Sequence, residues 1–215
     1  MNPTTAARRP VPARRAASTD RRAAIVTAAL ELFAERGLAA TSVDDIRAAS
    51  GASIGSIYHH FGSKEGIAAA LYIEAIADYQ DGALAELRVA RSSAAGIRAM
   101  VTHFLGWVGD HPQLAALMLE GQYGEVRARA APDVEALNRD YFTERRRWVD
   151  ERIAAGELAP VPADVFVWAV LGPAWRYAEL WIGGHTTTPL NEAARLLSEL
   201  AWSGLRPDGG LGSRE

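Results

Sequence analysis

The sequence contains no cysteine, and its only lysine, Lys64, stands beside 22 arginines. The absence of cysteine excludes disulfides, zinc sites built on thiolates and cysteine nucleophiles. The longest apolar stretch, residues 165–182, is interrupted by Gly172 and Pro173 and cannot be a clean membrane span. The N-terminus carries arginines but lacks the apolar segment and small-residue cleavage site of a secretory signal. We therefore expect a cytoplasmic protein with no membrane partner.

The sequence also lacks the short motifs of common enzyme classes. It has no glycine-rich phosphate loop, no nucleophile elbow and no cluster with metal-ligand spacing. The adjacent His59 and His60 point roughly 100° apart on a helix, so that helix alone cannot bring them to one metal ion. We expect no enzymatic activity, no cofactor and no metal site.

Charge is distributed unevenly along a chain of ordinary globular composition, with 49% hydrophobic and 23% charged residues. Residues 1–64 hold nine of the 23 Lys and Arg and five of the 26 Asp and Glu, a net charge of +4. The remainder, with 14 basic and 21 acidic residues, carries −7. A basic N-terminal third on an acidic body indicates that one part meets phosphate. Chance clustering in a disordered arm is the alternative.

Helical periodicity runs through nearly the whole chain and predicts an all-α fold of about nine helices. Residues 1–18 are rich in Ala, Pro and Arg without periodicity and are predicted to form a disordered basic arm. Residues 19–63 then form a small three-helix unit, and residues 64–205 form a larger helical body. Residues 206–215 are predicted to be a disordered tail.

Caps and glycines set the expected ends of the helices. The first helix begins at Thr19 or Asp20 and ends at Gly37, which suits the left-handed position after a helix. A long fourth helix covers about 64–87, and further helices are expected near 94–108, 112–120, 133–155, 163–182 and 189–204. Proline stands at or near the first position of three of these helices, where no N–H is needed: Pro112, Pro132 and Pro189.

The segment 41–64, TSVDDIRAASGASIGSIYHHFGSK, has the pattern of two short helices joined by a tight turn at Gly51. Thr41 or Ser42 caps the first helix, and Ser53 caps the second. In a helix-turn-helix the second helix lies in the major groove of DNA, and its N-terminal residues reach base edges. The segment therefore predicts a DNA-binding unit.

The start of this second helix consists of short or uncharged residues: Ser53, Ile54, Gly55 and Ser56. Serine hydroxyls can bond base edges, Ile54 can contact a thymine methyl group, and Gly55 allows close approach. Because none of the four can read a base bidentately, we expect only modest direct readout.

Phosphate contacts are expected from hydroxyls, cations and free N–H groups around this helix: Thr41, Ser42, Arg47, Tyr58 and Lys64. Two alternatives stay open, since Arg47 could be merely solvated and Tyr58 half-buried against the first helix. His59 is expected at the DNA surface, whereas His60 is expected to be packed and hydrogen-bonded.

Together these residues resemble the helix-turn-helix pattern of the TetR family of transcriptional regulators. The matching positions are Thr41 or Ser42, Ile46, Gly51, Ser53, Gly55, Tyr58, His60, Phe61 and Lys64. The specific match covers roughly 23–75, and Arg47 and Ser50 depart from the alanine usual at both places. The resemblance places the DNA-contacting positions of the family at Ser53, Gly55, Ser56, Tyr58, His59 and Lys64.

The resemblance also implies that the body dimerises. Its last two helices are strongly apolar: the first is apolar on more than one side, and the second carries a clean apolar stripe. A helix too apolar for one face normally buries a second face against a partner. Two helices from each of two subunits would make a four-helix bundle, although a thick monomeric core is the alternative. The candidate interface residues are Val165, Ala169, Gly172, Leu180, Leu190, Ala194, Leu197, Leu200 and Ala201.

A second task implied by the resemblance is binding a small effector. Aromatic side chains with sparse polar groups suit an apolar or aromatic molecule, although each of them could equally be an ordinary core residue. The candidate ligand-binding residues are Met100, His103, Phe104, Trp107, Met118, Gln122, Tyr123, Trp148, Trp168 and Trp175. His103 could be a polar anchor or a satisfied core histidine.

By this resemblance we expect a ligand-responsive repressor that binds double-stranded palindromic operator DNA as a homodimer. The effector would release the DNA by tilting the fourth helix. The alternatives are an activator, or a helical small-molecule-binding protein that has lost DNA binding.

Overall fold

The structure, a computed structural model, describes residues 13–120 and 124–208, with side chains from Ser18 onward. The described residues form nine α-helices and no strand, which confirms the predicted all-α fold. The helices are α1 (Ala13–Ala40), α2 (Val43–Ser50), α3 (Ile54–Phe61), α4 (Lys64–Val89), α5 (Ser93–Asp110), α6 (Pro112–Glu120), α7 (Gly124–Ala154), α8 (Ala163–Ile182) and α9 (Leu190–Leu205).

The first helix begins earlier than its capping residues indicated. It starts at Ala13 rather than at Thr19 or Asp20, so residues 13–18 of the predicted arm are helical. The rest of that arm, residues 1–12, and the end of the predicted tail, 209–215, lie outside the described residues. Gly37 interrupts α1 with φ 79° and ψ 159°, at the place where the sequence predicted its end.

The prediction for α7 was wrong about its start. The helix begins at Gly124, and Pro132 lies inside it rather than near its first position. A proline in a helix removes one backbone hydrogen bond. Ala130 and Val134 are buried on either side of Pro132, so packing holds the helix together across it.

The chain divides into two compact units, Met1–Ala68 and Ala69–Glu215. The boundary lies inside α4 rather than before Lys64, so this helix begins in the first unit and continues in the second. The first unit packs α1, α2, α3 and the start of α4 around fully buried side chains: Ile25, Ala29, Ile46, Ile57 and Ile67.

In the second unit α5 is the central helix, packed against both α8 and α9. It buries Phe104, Leu105 and Val108 almost completely, and the Phe104 ring stacks on Trp175 with 5.5 Å between ring centroids. Within the described ranges, no helix is both long and apolar enough to cross a membrane.

Gly66 fills a tight corner where α3 meets α4. A Cβ atom added there would lie 1.9 Å from the Phe61 carbonyl oxygen, which belongs to rigid backbone. Gly55, in contrast, has nothing within 4 Å of an added Cβ. The first glycine is therefore required by packing, and the second is not.

We expect Gly66→Ala to lower the free energy of unfolding by about 2 kcal/mol or more, since the backbone must move to admit the methyl group. Gly55→Ala, the matched control, should be neutral or stabilising by up to about 1 kcal/mol because alanine favours helix. Urea unfolding followed by circular dichroism measures both. Equal midpoints for the two variants would contradict the packing role of Gly66.

Candidate functional sites

The short helix α3 presents an exposed face at its N-terminal end. Ser53 caps the helix, and its Oγ accepts a hydrogen bond from the Ser56 N–H at 3.2 Å. Ile54 and Tyr58 are 43% and 52% exposed, and their four-residue spacing places them on one side of the helix. The backbone at Gly55 between them is open. This face is an accessible surface with an apolar and a hydroxyl-bearing side chain.

The orientation of α2 is set by local hydrogen bonds. Ser42 caps it, with its Oγ accepting from the Asp45 N–H at 3.1 Å while Asp45 Oδ2 accepts from the Ser42 N–H at 2.9 Å. The hydrogen bonds from Ser42 lower the pKa of the Asp45 carboxyl, so it stays ionised in this capping box. Gly51 ends α2 with φ 67°, a left-handed conformation that supports the predicted turn.

Thr41 faces inward, contrary to its expected role as a hydroxyl donor to phosphate. It is 1% exposed, and its hydroxyl donates to the Gly37 carbonyl oxygen at 2.9 Å. The interruption of α1 at Gly37 leaves carbonyl groups near the helix end that need donors, and Thr41 satisfies one of them. Thr41 therefore positions the start of α2 rather than offering a free hydroxyl.

Lys64, like Thr41, uses its side chain for hydrogen bonds to backbone carbonyl oxygens. Its Nζ donates to the carbonyl oxygens of Leu38 at 2.8 Å, Ala39 at 3.0 Å and Thr41 at 2.8 Å. An ammonium group has three N–H donors, so all of them are used. Lys64 was predicted to act as a point charge on phosphate, but in the structure its first role is to hold the α1–α2 connection. Its positive charge remains at this edge of the unit.

A shallow hollow of about 440 Å³ lies between the start of α2 and the start of α4. Ser42 and Val43 line it at the start of α2, and Tyr58 closes one side. Ser63, Lys64 and Glu65 line it at the start of α4. Both helix N-termini carry partial positive charge and N–H groups without a helical acceptor. Lys64 and Glu65 contribute opposite charges, so it is the two helix N-termini that suit the hollow to an anion such as a phosphate group.

The remaining predicted contacts lie on the surface around this region. Arg47 is exposed and its Nε donates to Asp44 Oδ1 at 3.2 Å, an exposed ion pair of small energetic value. His59 is exposed, whereas His60 is half-buried with its ring centroid 6.0 Å from that of Phe61. No group of three or more metal-ligating side chains occurs in the part of the chain that the structure describes.

The second unit contains a cavity of about 560 Å³, lined by side chains of α4, α6, α7 and α8. Of the predicted ligand-binding residues, Met118, Trp168 and Trp175 line it. Gln122 and Tyr123 lie outside the described residues. The other predicted residues are not on its wall: Met100, His103, Phe104, Trp107 and Trp148.

Those five residues are excluded from the wall by their packing in the core. His103 Nε2 lies 3.0 Å from the Tyr79 carbonyl oxygen, and Trp107 Nε1 donates to Asp78 Oδ2 at 2.7 Å. Phe104 lies behind the wall, stacked on Trp175, and Trp148 packs over Gly96. Since α5 is buried by several neighbouring helices, its aromatic stripe faces the core.

None of the polar residues on the described cavity wall was predicted from the sequence. Tyr72 and Tyr79 come from α4, and Arg127, Tyr141 and Arg145 come from α7. Burial raises the pKa of the Tyr72 phenol and raises that of Tyr79 well above its usual value, so both hydroxyls stay neutral. The spacing of Tyr72, Ile76 and Tyr79 along α4 was the available signal.

The exposed face of α8 and α9 differs in part from the predicted interface. Val165, Ala169 and Leu200 are exposed as expected, while Gly172, Leu180, Leu190 and Leu197 are half-buried. Ala194 and Ala201 are buried and were wrongly assigned to the interface, because the small side chains of α9 pack inward where α5 lies close. Trp168 (65% exposed) and Leu196 (41%) extend the exposed apolar face.

The arrangement of α1, α2 and α3 is that of a helix-turn-helix domain. The family model described as bacterial regulatory proteins, tetR family, matches residues 25–71. This match covers the second half of α1, all of α2 and α3, and the start of α4. Most of the chain shares its fold with solved structures of regulators of this kind. These residues thus match the N-terminal domain of the tetR family of bacterial regulatory proteins, and the matches together support a regulator of this type.

Three comparisons show the extent of the similarity. The chain is 58% identical over 45 residues to the transcriptional repressor KstR2 of Rhodococcus jostii, which is 21% of this chain and 22% of that protein's length. It is 25% identical over 197 residues to the transcriptional activator FasR of Mycolicibacterium smegmatis, covering 86% and 83% of the two chains. The solved structure of the regulator FadR from Bacillus subtilis in complex with stearoyl-CoA superposes with a TM-score of 0.72 at 20% identity, covering 85% of this chain and 98% of that one.

Replacing Lys64 with methionine should destabilise the N-terminal unit in the absence of DNA, since three carbonyl groups lose a charged donor. We expect a loss of about 1.5–3 kcal/mol, seen as faster amide hydrogen exchange over residues 32–46. Arg47→Met removes the same charge from an exposed pair and should change stability by no more than about 0.5 kcal/mol. Equal exchange in the two variants would show that Lys64 has no structural role.

Proposed function

We propose that the protein is a ligand-responsive transcriptional repressor that binds palindromic operator DNA as a homodimer and is released by a small apolar or aromatic effector. The observation that carries the proposal is the exposed face of α3 beside the hollow that suits an anion. A helix with an open N-terminal face next to a hollow at two helix N-termini fits the major groove and its flanking backbone.

The side chains of α3 support this mode of binding. Ile54 is exposed on a short helix and can contact a thymine methyl group in the groove. Gly55 has open space around it, so the helix can approach the groove floor closely. Tyr58 is exposed at the rim of the hollow, where its hydroxyl can bond a phosphate oxygen.

The charge distribution supports DNA binding that does not depend on the base sequence. The N-terminal 64 residues carry a net charge of +4, against −7 for the rest of the chain. Arg47 is held only by an exposed pair with Asp44, so its guanidinium can exchange that carboxylate for a phosphate. Phosphate contacts of this type supply salt-dependent affinity.

The exposed face of α8 and α9 supports homodimer formation. Val165 and Trp168 on α8 and Leu196 and Leu200 on α9 are all more than 40% exposed. Large apolar side chains concentrated on two adjacent helices indicate a protein–protein interface. A two-fold axis there would form a four-helix bundle and present two copies of α3 to half-sites about 34–36 Å apart or somewhat more.

The cavity supplies the site for an effector, and α4 supplies the route of the signal. This helix begins at Lys64 in the first unit, and its Tyr72, Ile76 and Tyr79 line the cavity in the second. An effector that shifts α4 would change the spacing of the reading helices. To move the population from 1:99 to 99:1, it must favour the released form by about 5.5 kcal/mol.

The relatives support a role in transcriptional regulation but do not decide between repression and activation. KstR2 is named a repressor and FasR an activator, so activation is the second candidate. The FadR structure contains stearoyl-CoA, which is consistent with this fold holding a ligand that has a long apolar part.

Tyr58→Phe should weaken operator binding about fivefold, since one hydrogen bond to phosphate is lost at about 1 kcal/mol. The operator is first selected from a random duplex library, and affinity is then measured by gel shift at fixed salt. Tyr177→Phe is the matched control, because its hydroxyl donates to the Thr188 carbonyl oxygen in the other unit. If no duplex is selected, or if both variants bind equally, α3 is not the reading helix in the way proposed.

Leu200→Glu should convert the dimer to monomer at micromolar concentration, since it places a charge in the apolar face of α9. Val89→Glu is the control, because Val89 is similarly exposed, at 71%, but lies at the end of α4. Sedimentation velocity measures the oligomeric state of both. A dimer that survives Leu200→Glu would place the interface elsewhere.

A further inference from the structure

Two arginines on the cavity wall lack an acidic partner. Arg127 and Arg145 both come from α7 and both line the cavity. Among the described residues, neither guanidinium is in an ion pair. The Nη1 atom of Arg127 is also buried and makes no hydrogen bond to any described residue.

Other arginines nearby do have acidic partners. A second cavity, of about 230 Å³, is lined by three arginines, and each is paired. Arg88 contacts Glu144 at 2.6 Å, Arg147 contacts Glu151 at 3.4 Å, and Arg152 contacts Glu157 at 3.3 Å. The arginines of the smaller cavity are therefore all paired, whereas two of those on the wall of the larger cavity are not.

The wall of the larger cavity does not carry enough negative charge to balance Arg127 and Arg145. Its third arginine, Arg146, is paired with Asp150 at 3.5 Å. Among the described lining residues, Asp164 is the only acidic one. It lies in the first turn of α8, where the helix dipole stabilises its carboxylate. The cavity thus has an excess of positive charge from Arg127 and Arg145.

The two arginines differ in how they are held. The Arg145 guanidinium lies 4.9 Å and 4.8 Å from the ring centroids of Tyr141 and Phe142, so cation–π contacts offset part of its desolvation. Arg127 has no such ring contact among the described residues. A buried N–H without an acceptor is costly, and a small movement of the guanidinium toward a ligand oxygen would satisfy it. Arg127 is therefore the better anchor, and Arg145 adds charge.

The rest of the wall is apolar or neutral. Ile76, Val134, Leu171 and Trp175 provide apolar surface. The phenol of Tyr72 stays neutral, because burial raises its pKa although the Arg127 charge acts in the opposite direction. A neutral hydroxyl near a guanidinium can donate a second hydrogen bond to an anion.

We propose that the effector is an amphipathic carboxylate, with its carboxylate bound by Arg127 and its apolar body against the surface around Trp175. The inference rests on the proposed function in one respect, namely that this cavity receives the effector. A carboxylate matches the planar guanidinium and can accept two parallel hydrogen bonds from it. A neutral apolar molecule would leave the Arg127 Nη1 donor unsatisfied.

Binding of laurate, dodecanol and dodecyl phosphate to the full chain tests this assignment. The three probes share a twelve-carbon chain and differ in head group. Tryptophan fluorescence reports binding, since Trp168 and Trp175 line the cavity, and calorimetry gives the affinity. We expect laurate to bind at least about tenfold more tightly than dodecanol, the effect of one charged hydrogen bond.

Arg127→Gln should lower laurate affinity at least about tenfold and leave dodecanol affinity unchanged, which also shows that the variant is folded. Arg129→Gln is the matched control, because Arg129 lies on the same helix but is paired with Glu125 at 2.9 Å on the surface. Arg127→Lys should restore part of the affinity. Unchanged laurate affinity in Arg127→Gln, or tighter binding of dodecanol than laurate, would overturn the proposal. Tighter binding of dodecyl phosphate than laurate would overturn the choice of a carboxylate.

A separate gel shift distinguishes this inference from the proposed function. If laurate binds through Arg127 but never weakens binding to the selected operator, the carboxylate site stands and the release model fails. If another ligand releases the operator while laurate affinity does not depend on Arg127, the release model stands and the carboxylate site fails.

Discussion

The N-terminal unit depends on the hydrogen bonds that the Lys64 ammonium donates to the carbonyl oxygens of Leu38, Ala39 and Thr41. Gly37 interrupts α1 just before these residues and leaves their carbonyl groups at a helix end, where they need donors. A single cation supplies three donors at once, so the link between α1 and α2 is held from the start of α4. The direction of α2, and of α3 after it, follows from this link.

This arrangement separates the residues that position α2 and α3 from the residues that α3 exposes. Thr41 is buried with its hydroxyl bonded to α1, and Ser42 is committed to the capping box with Asp45. The large apolar or aromatic side chains left exposed on α3 are Ile54 and Tyr58, and Gly55 between them in sequence has open space around it. In the proposed complex, recognition would therefore rest on shape and apolar contact in the groove, with phosphate held at the helix N-termini.

In the second unit the arginine charges are paired on the surface but not throughout the larger cavity. Most of its surface arginines sit near a carboxylate one turn away or on the next helix, as Arg129 does with Glu125. Inside the larger cavity the pairing is incomplete, and Arg127 has a buried donor with no acceptor among the described residues. Packing of α7 against α4 and α8 places that charge beside apolar side chains. A positive charge among apolar side chains is stabilised when a negatively charged group of a ligand pairs with it.

The sequence by itself determined the features that depend on near neighbours. These are the helical period, the Ser42 cap with Asp45 three residues on, and the turn at Gly51, since each is decided by contacts within a few residues. Only the tertiary structure decided where side chains with two plausible environments point. Lys64 bonds carbonyl groups 23 to 26 residues away, and the aromatic residues of α5 face the core because other helices cover that side. Helical periodicity and composition look the same for a buried face, a cavity wall and an interface. Only the packing of the other helices distinguishes these three environments.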